Sequence, residues 1–206
     1  MKFSKRTFGV FSAALAALFL SAATASAQVE IPSQISIQGT GLFTKSSDGS
    51  GIRQEATKSG GFLVGYSYQI SRWAGVEGNY GFSRNTQNYS TTVGTNGVQA
   101  DLHQFTGAFV VHIPVHRLRV RPYALAGSGA LLFDPTDNVS VGGASRQTKP
   151  AFLYGGGVNF DVSHRIGVRT EYRGFVYQTP DFGLSSLNLD KYTHLAQPSV
   201  GVYFRF

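Results

Sequence analysis

Apolar and polar residues alternate along this chain. Phe62, Val64, Tyr66 and Tyr68 share one parity, against Gly61, Leu63, Gly65, Ser67 and Gln69. Val76, Gly78, Tyr80 and Phe82 oppose Glu77, Asn79, Gly81 and Ser83. Phe152, Tyr154, Gly156, Val158 and Phe160 oppose Leu153, Gly155, Gly157, Asn159 and Asp161. The last segment sets Val200, Val202, Phe204 and Phe206 against Ser199, Gly201, Tyr203 and Arg205. Successive side chains of a strand point to opposite faces, so a period of two predicts two-faced strands. Eight are predicted, at 33–44, 57–69, 73–84, 99–112, 119–133, 149–162, 166–177 and 192–206. The first, carried by Ile35, Ile37 and Phe43, is the weakest. Beyond residue 27, nothing longer than a turn has the three- and four-residue spacing of an amphipathic helix.

The connections alternate in length. Ile70–Arg72, Ile113–Leu118 and Ser163–Arg165 are short, whereas Lys45–Ala56, Asn85–Val98, Asp134–Thr148 and Gln178–Lys191 are long and polar. Short turns on one side and long loops on the other is the pattern of an antiparallel up-and-down barrel in a bacterial outer membrane. A strand spans a membrane in about 9–11 tilted residues. Only a closed barrel pairs every strand's backbone groups within lipid. The parity with the larger apolar and aromatic side chains is therefore expected to face lipid, and the small or polar parity the interior. A soluble sandwich or barrel would reverse this and carry more charge outside. Trp73, beside the first short turn, suits an interfacial anchor on the periplasmic side. Parity alone leaves a core position open for it.

The first residues read as an address. Lys2, Lys5 and Arg6 precede an apolar run from Phe8 to Leu20, and small residues end in Ala25-Ser26-Ala27. This order predicts a secretory signal peptide over 1–27, cleaved after Ala27, with the barrel domain over 28–206. No later run of 18 apolar residues predicts a transmembrane helix. The signal holds three of the 18 basic residues and none of the 11 acidic ones, which removes three charges from the formal +7. No basic block remains as a nucleic-acid patch, and no nucleic-acid partner is expected.

Composition agrees. Charged residues make up 14%, aromatics 13%, and glycine occurs 25 times. A typical soluble domain carries roughly 25% charge. Cysteine is absent, which excludes a disulfide scaffold, a thiolate zinc site and a cysteine nucleophile.

The end, Pro198-Ser-Val-Gly-Val-Tyr-Phe-Arg-Phe206, resembles the closing strand of bacterial outer membrane proteins. Val120-Arg-Pro-Tyr-Ala-Leu-Ala-Gly-Ser-Gly129, Ile166-Gly-Val-Arg-Thr-Glu-Tyr-Arg173, Gly61–Tyr68 and Val76–Tyr80 are similar to segments of the OmpA-like eight-stranded barrels. The resemblance implies location in the outer membrane, among its lipids and lipopolysaccharide. It also implies that the barrel assembly machinery reads Val200, Val202, Phe204 and Phe206 as an insertion signal. The periplasmic peptidoglycan-binding domain of many such proteins has no counterpart after the last strand, so cell-wall tethering is not expected. Barrels of this kind serve as structural proteins, pores, adhesins and occasionally enzymes, and fold does not fix function.

The inward parity carries Glu77, Gln104, Asn159, Asp161, Arg169, Glu171, Arg173, Gln197 and Arg205. Arg169, Glu171 and Arg173 lie on one face at two-residue steps. A buried charge needs a partner, and arginine forks suit carboxylates. Pairs of Glu77 and Glu171 with Arg169 and Arg173 are therefore predicted, and Glu171→Ala is expected to lower thermal stability. Such pairs close the lumen of a structural barrel, or gate a narrow ion pathway by rearranging. If Tyr123 faces lipid, so does Arg121, snorkelling to water. Arg121 would then join Arg72, His116, Arg117, His164 and Arg165 in a basic periplasmic rim.

Lipid A deacylases resemble this chain in size but carry a His-x-Ser pair, and none of its five histidines has serine two residues on. His194, Asp190 and Ser185 or Ser186 lie near one loop with no fixed geometry, so no catalytic residue is assigned and an enzyme is not expected. His112 and His116 straddle Pro114, which disfavours a metal site. No cofactor is expected. The long loops, rich in Ser, Thr, Asn and Gly, are the expected surface toward an extracellular ligand.

Overall fold

The computed structural model describes residues 33–49, 52–90, 95–113, 119–139, 145–182 and 191–206. The predicted signal peptide, with Ala25 and Ala27, lies outside them. Ten strands follow in order: β1 (Ser33–Thr44), β2 (Ser47–Gly49), β3 (Ile52–Ala56), β4 (Ser59–Gln69), β5 (Ala74–Ser90), β6 (Thr95–His112), β7 (Val120–Val139), β8 (Gln147–Asp161), β9 (Ile166–Gln178) and β10 (Tyr192–Arg205). Eight of them form a closed antiparallel barrel, each paired with its neighbour in sequence apart from the short β2 and β3. Pairing of β1 with β10, from Gln34↔Arg205 to Thr44↔Leu195, shuts the cylinder.

The connections on the extracellular side are long, as expected, but among the described residues three of them, Lys45–Ala56, Asn85–Val98 and Asp134–Thr148, are built largely from strand. Residues Asn85–Ser90 pair with Thr95–Ala100, so β5 and β6 continue well past the length needed to span lipid. The β2–β3 hairpin joins them, with Arg53↔Ser90 and Ala56↔Gln87 in register. The alternation behind this persists: polar Asn85 and Gln87 on β5, and Val98 and Ala100 opposite them on β6, all point inward and are buried. Polar composition hides a strand whose period is intact.

Outside, Ile37, Phe62, Phe105, Phe152, Val200, Val202, Phe204 and Phe206 are exposed along the wall, as their parity predicts. Trp73 is 58% exposed beside Ile70 and Ile113 at the short-turn end, and its carbonyl accepts from His112 N at 2.7 Å. It is an outward anchor, not a core residue.

Strand β7 reverses the rule that large side chains face lipid. Tyr123 and Leu125 are buried inside, and Ala124 and Ala126 face outward. Arg121 therefore points inward too, where its Nε lies 3.3 Å from Asp161. The expectation that it snorkels from the lipid face is corrected. Arg72, Arg119, His164 and Arg165 are exposed at the turns, while His116 and Arg117 lie outside the described residues.

Candidate functional site

The interior is layered along its axis. At the periplasmic end Asp161 accepts from Arg205 Nη2 at 2.7 Å and from the Tyr203 hydroxyl, and the Arg205 guanidinium lies over the Tyr203 ring at 4.7 Å.

Above it lies the predicted network. Strand β9 places Arg169, Glu171 and Arg173 on one inward row because its side chains alternate. Strand β5 brings Glu77 from across the barrel. Glu77 Oε2 accepts from Arg169 Nη1 at 2.8 Å, and its Oε1 accepts from Arg173 Nη2 at 2.6 Å. Glu171 Oε1 accepts from Arg173 Nε at 2.5 Å, and its Oε2 accepts from Arg169 Nη2. Both carboxylates thus bridge both guanidinium groups in a closed ring with no net charge. All four side chains are at most 5% exposed. Charges this deep persist only when paired and hydrogen-bonded.

Three neighbours complete the ring. The Tyr123 hydroxyl donates to Glu171 Oε2 at 2.6 Å and accepts from Arg169 Nε at 2.6 Å. Its ring stacks under the Arg169 guanidinium at 4.6 Å. Ser67 Oγ donates to Glu77 Oε2 at 2.6 Å, and Arg173 Nη1 reaches Thr106 Oγ1 at 3.5 Å. Gly157 makes room for this: a Cβ there would lie 2.5 Å from the Tyr123 hydroxyl. Sequence reasoning missed Tyr123. The available signal was Arg121 two residues earlier, on the same parity.

A layer of amides follows. Gln197 is the register partner of Arg173, and Gln104 that of Leu131, so these amides lie where ions give way to apolar groups. Asn79 and Gln104 each keep a buried amide nitrogen and oxygen without a hydrogen-bond partner.

Toward the extracellular mouth large apolar side chains fill much of the interior beside buried Asn85, Gln87 and Lys149, where small or polar filling is expected throughout. Leu42, Leu102, Leu131, Phe133, Leu153, Phe175, Tyr177, Phe182 and Leu195 form one buried cluster. Phe182 reaches it from the segment after β9 and meets Phe133 edge-on at 6.3 Å. Gln147 Oε1 accepts from the Asp181 and Phe182 amides at 2.9 and 3.1 Å, and Ser145 N donates to the Phe182 carbonyl at 3.0 Å. Phe182 has φ 52°, a left-handed conformation that a bulky residue adopts only when its surroundings impose it.

Val200, Val202, Phe204 and Phe206 form one outward row at the closing seam, with the rings of Phe204 and Phe206 stacked at 6.2 Å. The loop residues Ser185, Ser186 and Asp190 lie outside the described residues. His194 Nε2 instead lies 2.8 Å from the Tyr154 hydroxyl on the outer face. Among the described residues, no three metal-ligating side chains come together.

A closed eight-stranded barrel with a charged interior and an apolar exterior defines an integral outer membrane protein. The outer membrane protein beta-barrel domain family matches residues 12–206, and the chain belongs to it. Among solved structures it is similar to the outer membrane protein OprG of Pseudomonas aeruginosa, at 13% identity and TM-score 0.63, over 85% of this chain and 96% of that one. It is also similar to Neisserial surface protein A, at 15% identity and TM-score 0.60, over 84% and 97%. Ail, the attachment invasion locus protein of Yersinia pestis, solved with the heparin analogue sucrose octasulfate, matches at 19% identity and TM-score 0.52, over 86% and 100%. Among curated proteins no sequence match is found.

Proposed function

We propose that this protein is a closed, non-enzymatic outer membrane barrel whose role is structural and surface-directed. The observation that carries this reading is the four-charge ring across the lumen, backed on its extracellular side by a buried apolar cluster. An ion crossing the barrel would have to break paired charges and then enter an apolar layer. The projecting β5–β6 hairpin and its neighbours are the contact surface toward an extracellular ligand. Outer membrane lipids and lipopolysaccharide surround the wall, and export follows the signal peptide. The outward row ending at Phe206 is the segment offered to the barrel assembly machinery.

A narrow channel is the second reading. It is favoured by the amide layer, whose unpartnered polar atoms suit a hydrated compartment. Single-channel recording in planar bilayers separates the two. The closed reading expects no conductance steps from the wild type, and new steps from a Glu77→Ala/Arg173→Ala variant. Regular steps from the wild type would establish the channel instead.

A further inference from the structure

The extracellular rim of the barrel is electrostatically lopsided. Around β5 to β8 its arginines are matched: Arg84 donates to Asp101 at 2.5 and 2.8 Å, and Arg146 pairs with Asp134. The hydrogen bond from Arg146 holds the Asp134 carboxyl below its ordinary value. Around β9, β10, β1 and β4 the rim carries three exposed lysines, Lys45, Lys58 and Lys191, and none forms an ion pair with a described residue.

Two of these lysines line a surface depression of about 470 Å³, together with Ser46, Val176, Tyr192, Thr193 and His194. Its frame is fixed by backbone: Lys45 N donates to the His194 carbonyl at 2.9 Å, and Thr179 N donates to the Lys191 carbonyl at 2.9 Å. The carboxylate that touches its lining is Glu55, which accepts from Ser46 Oγ at 3.3 Å and is itself paired with Arg53 at 2.7 Å. Among the described residues, neither of the two lysines is paired with a carboxylate.

Just below, toward the membrane, the same sector turns amphipathic and then apolar. The Tyr154 hydroxyl and His194 Nε2 meet at 2.8 Å over Gly174, where a Cβ would lie 2.6 Å from the tyrosine ring and 2.9 Å from the histidine nitrogen. Lys58 Nζ sits 6.0 Å from the centre of the Phe43 ring. Phe43, Phe152, Tyr154, Val176 and Tyr192 all expose their side chains outward.

We infer that this depression is a binding site for the phosphorylated headgroup of an outer-leaflet lipid. Lys45 and Lys191 contact the phosphate, and the wall from Tyr192 down to Val176 and Phe152 takes the acyl chains. A compact ammonium on a flexible stem suits a phosphate as a point charge. Aromatic side chains with a polar tip suit the level where headgroup meets hydrocarbon. The lysines supply the contact for an anion, and the adjoining wall, which faces the bilayer, puts that anion on a lipid.

The test uses the full barrel in mild detergent, with native mass spectrometry measuring retention of phosphorylated lipid A, its dephosphorylated counterpart and inorganic phosphate. The wild type is expected to hold the phosphorylated lipid, to hold the dephosphorylated form roughly tenfold more weakly, and to ignore phosphate at the same concentration. Lys45→Gln/Lys191→Gln should remove that preference, and Lys45→Arg/Lys191→Arg should keep it. Arg84→Gln, on the matched side of the rim, should change nothing. Heat-dependent gel migration establishes that each variant is folded. Equal retention of the two lipids, unchanged binding by the glutamine variant, an equal loss in Arg84→Gln, or tight binding of phosphate alone would each overturn the assignment.

Discussion

Around Glu77 the barrel interior is held by charges that each need a particular partner; around Phe133 it is held by rings and branched chains that need only be apolar and well fitted. Both layers are buried to a similar degree. Their failure modes differ. Removing one member of a buried ion cluster leaves a desolvated charge behind, whereas trimming an apolar side chain leaves a cavity. The ionic layer is specific and brittle, and the apolar layer above it is graded.

The sharpest way to break that comparison is Glu171→Ala. It leaves Arg169 and Arg173 sharing Glu77 alone and strips Tyr123 of its acceptor. A loss of about 3–5 kcal/mol is expected in chemical unfolding in detergent micelles. A midpoint equal to wild type would mean that the ring does not hold the barrel. Phe133→Ala, in the apolar layer, should cost about 3 kcal/mol by the same measurement, with Phe133→Leu costing clearly less. If Phe133→Leu were as damaging as Phe133→Ala, that layer would be no more tolerant than the ionic one. Tyr123→Phe keeps the ring over Arg169 but removes two hydrogen bonds, for a loss of about 1–3 kcal/mol. The smallest effect belongs to Arg84→Gln at the rim, where thermal unfolding should not shift measurably because water screens the pair.

The ionic layer was legible in the sequence because charges at two-residue steps share a face whatever surrounds them. Arg169, Glu171 and Arg173 could only point one way together, and an apolar outer wall fixed which way. The seam row at Val200, Val202, Phe204 and Phe206 was readable on the same ground. The apolar layer was not legible. Leu102, Leu131, Leu153, Phe175 and Leu195 share a parity with polar residues, and alternation assigns faces without saying where along the axis a face turns apolar. Tyr123 escaped for a different reason: β7 sets Tyr123 and Leu125 against Ala124 and Ala126, and there the size contrast that marks the lipid face elsewhere points the wrong way. Phe182 sits among residues that read as a polar connection, and only its contacts with Phe133 and Gln147 reveal an inward lid.

The ring also bears on how the barrel comes together. Arg169, Glu171 and Arg173 lie within five consecutive residues and carry one excess positive charge as a hairpin side. The balancing carboxylate, Glu77, arrives from a strand almost a hundred positions earlier in the chain. The ring is therefore electrically neutral only in the finished cylinder. An open sheet presents a surplus cation to whatever lies beside it, and neutrality is gained when the two halves curl around to face each other. The network rewards closure as such, and discriminates a sealed barrel from a partly rolled one with the same strands already in place.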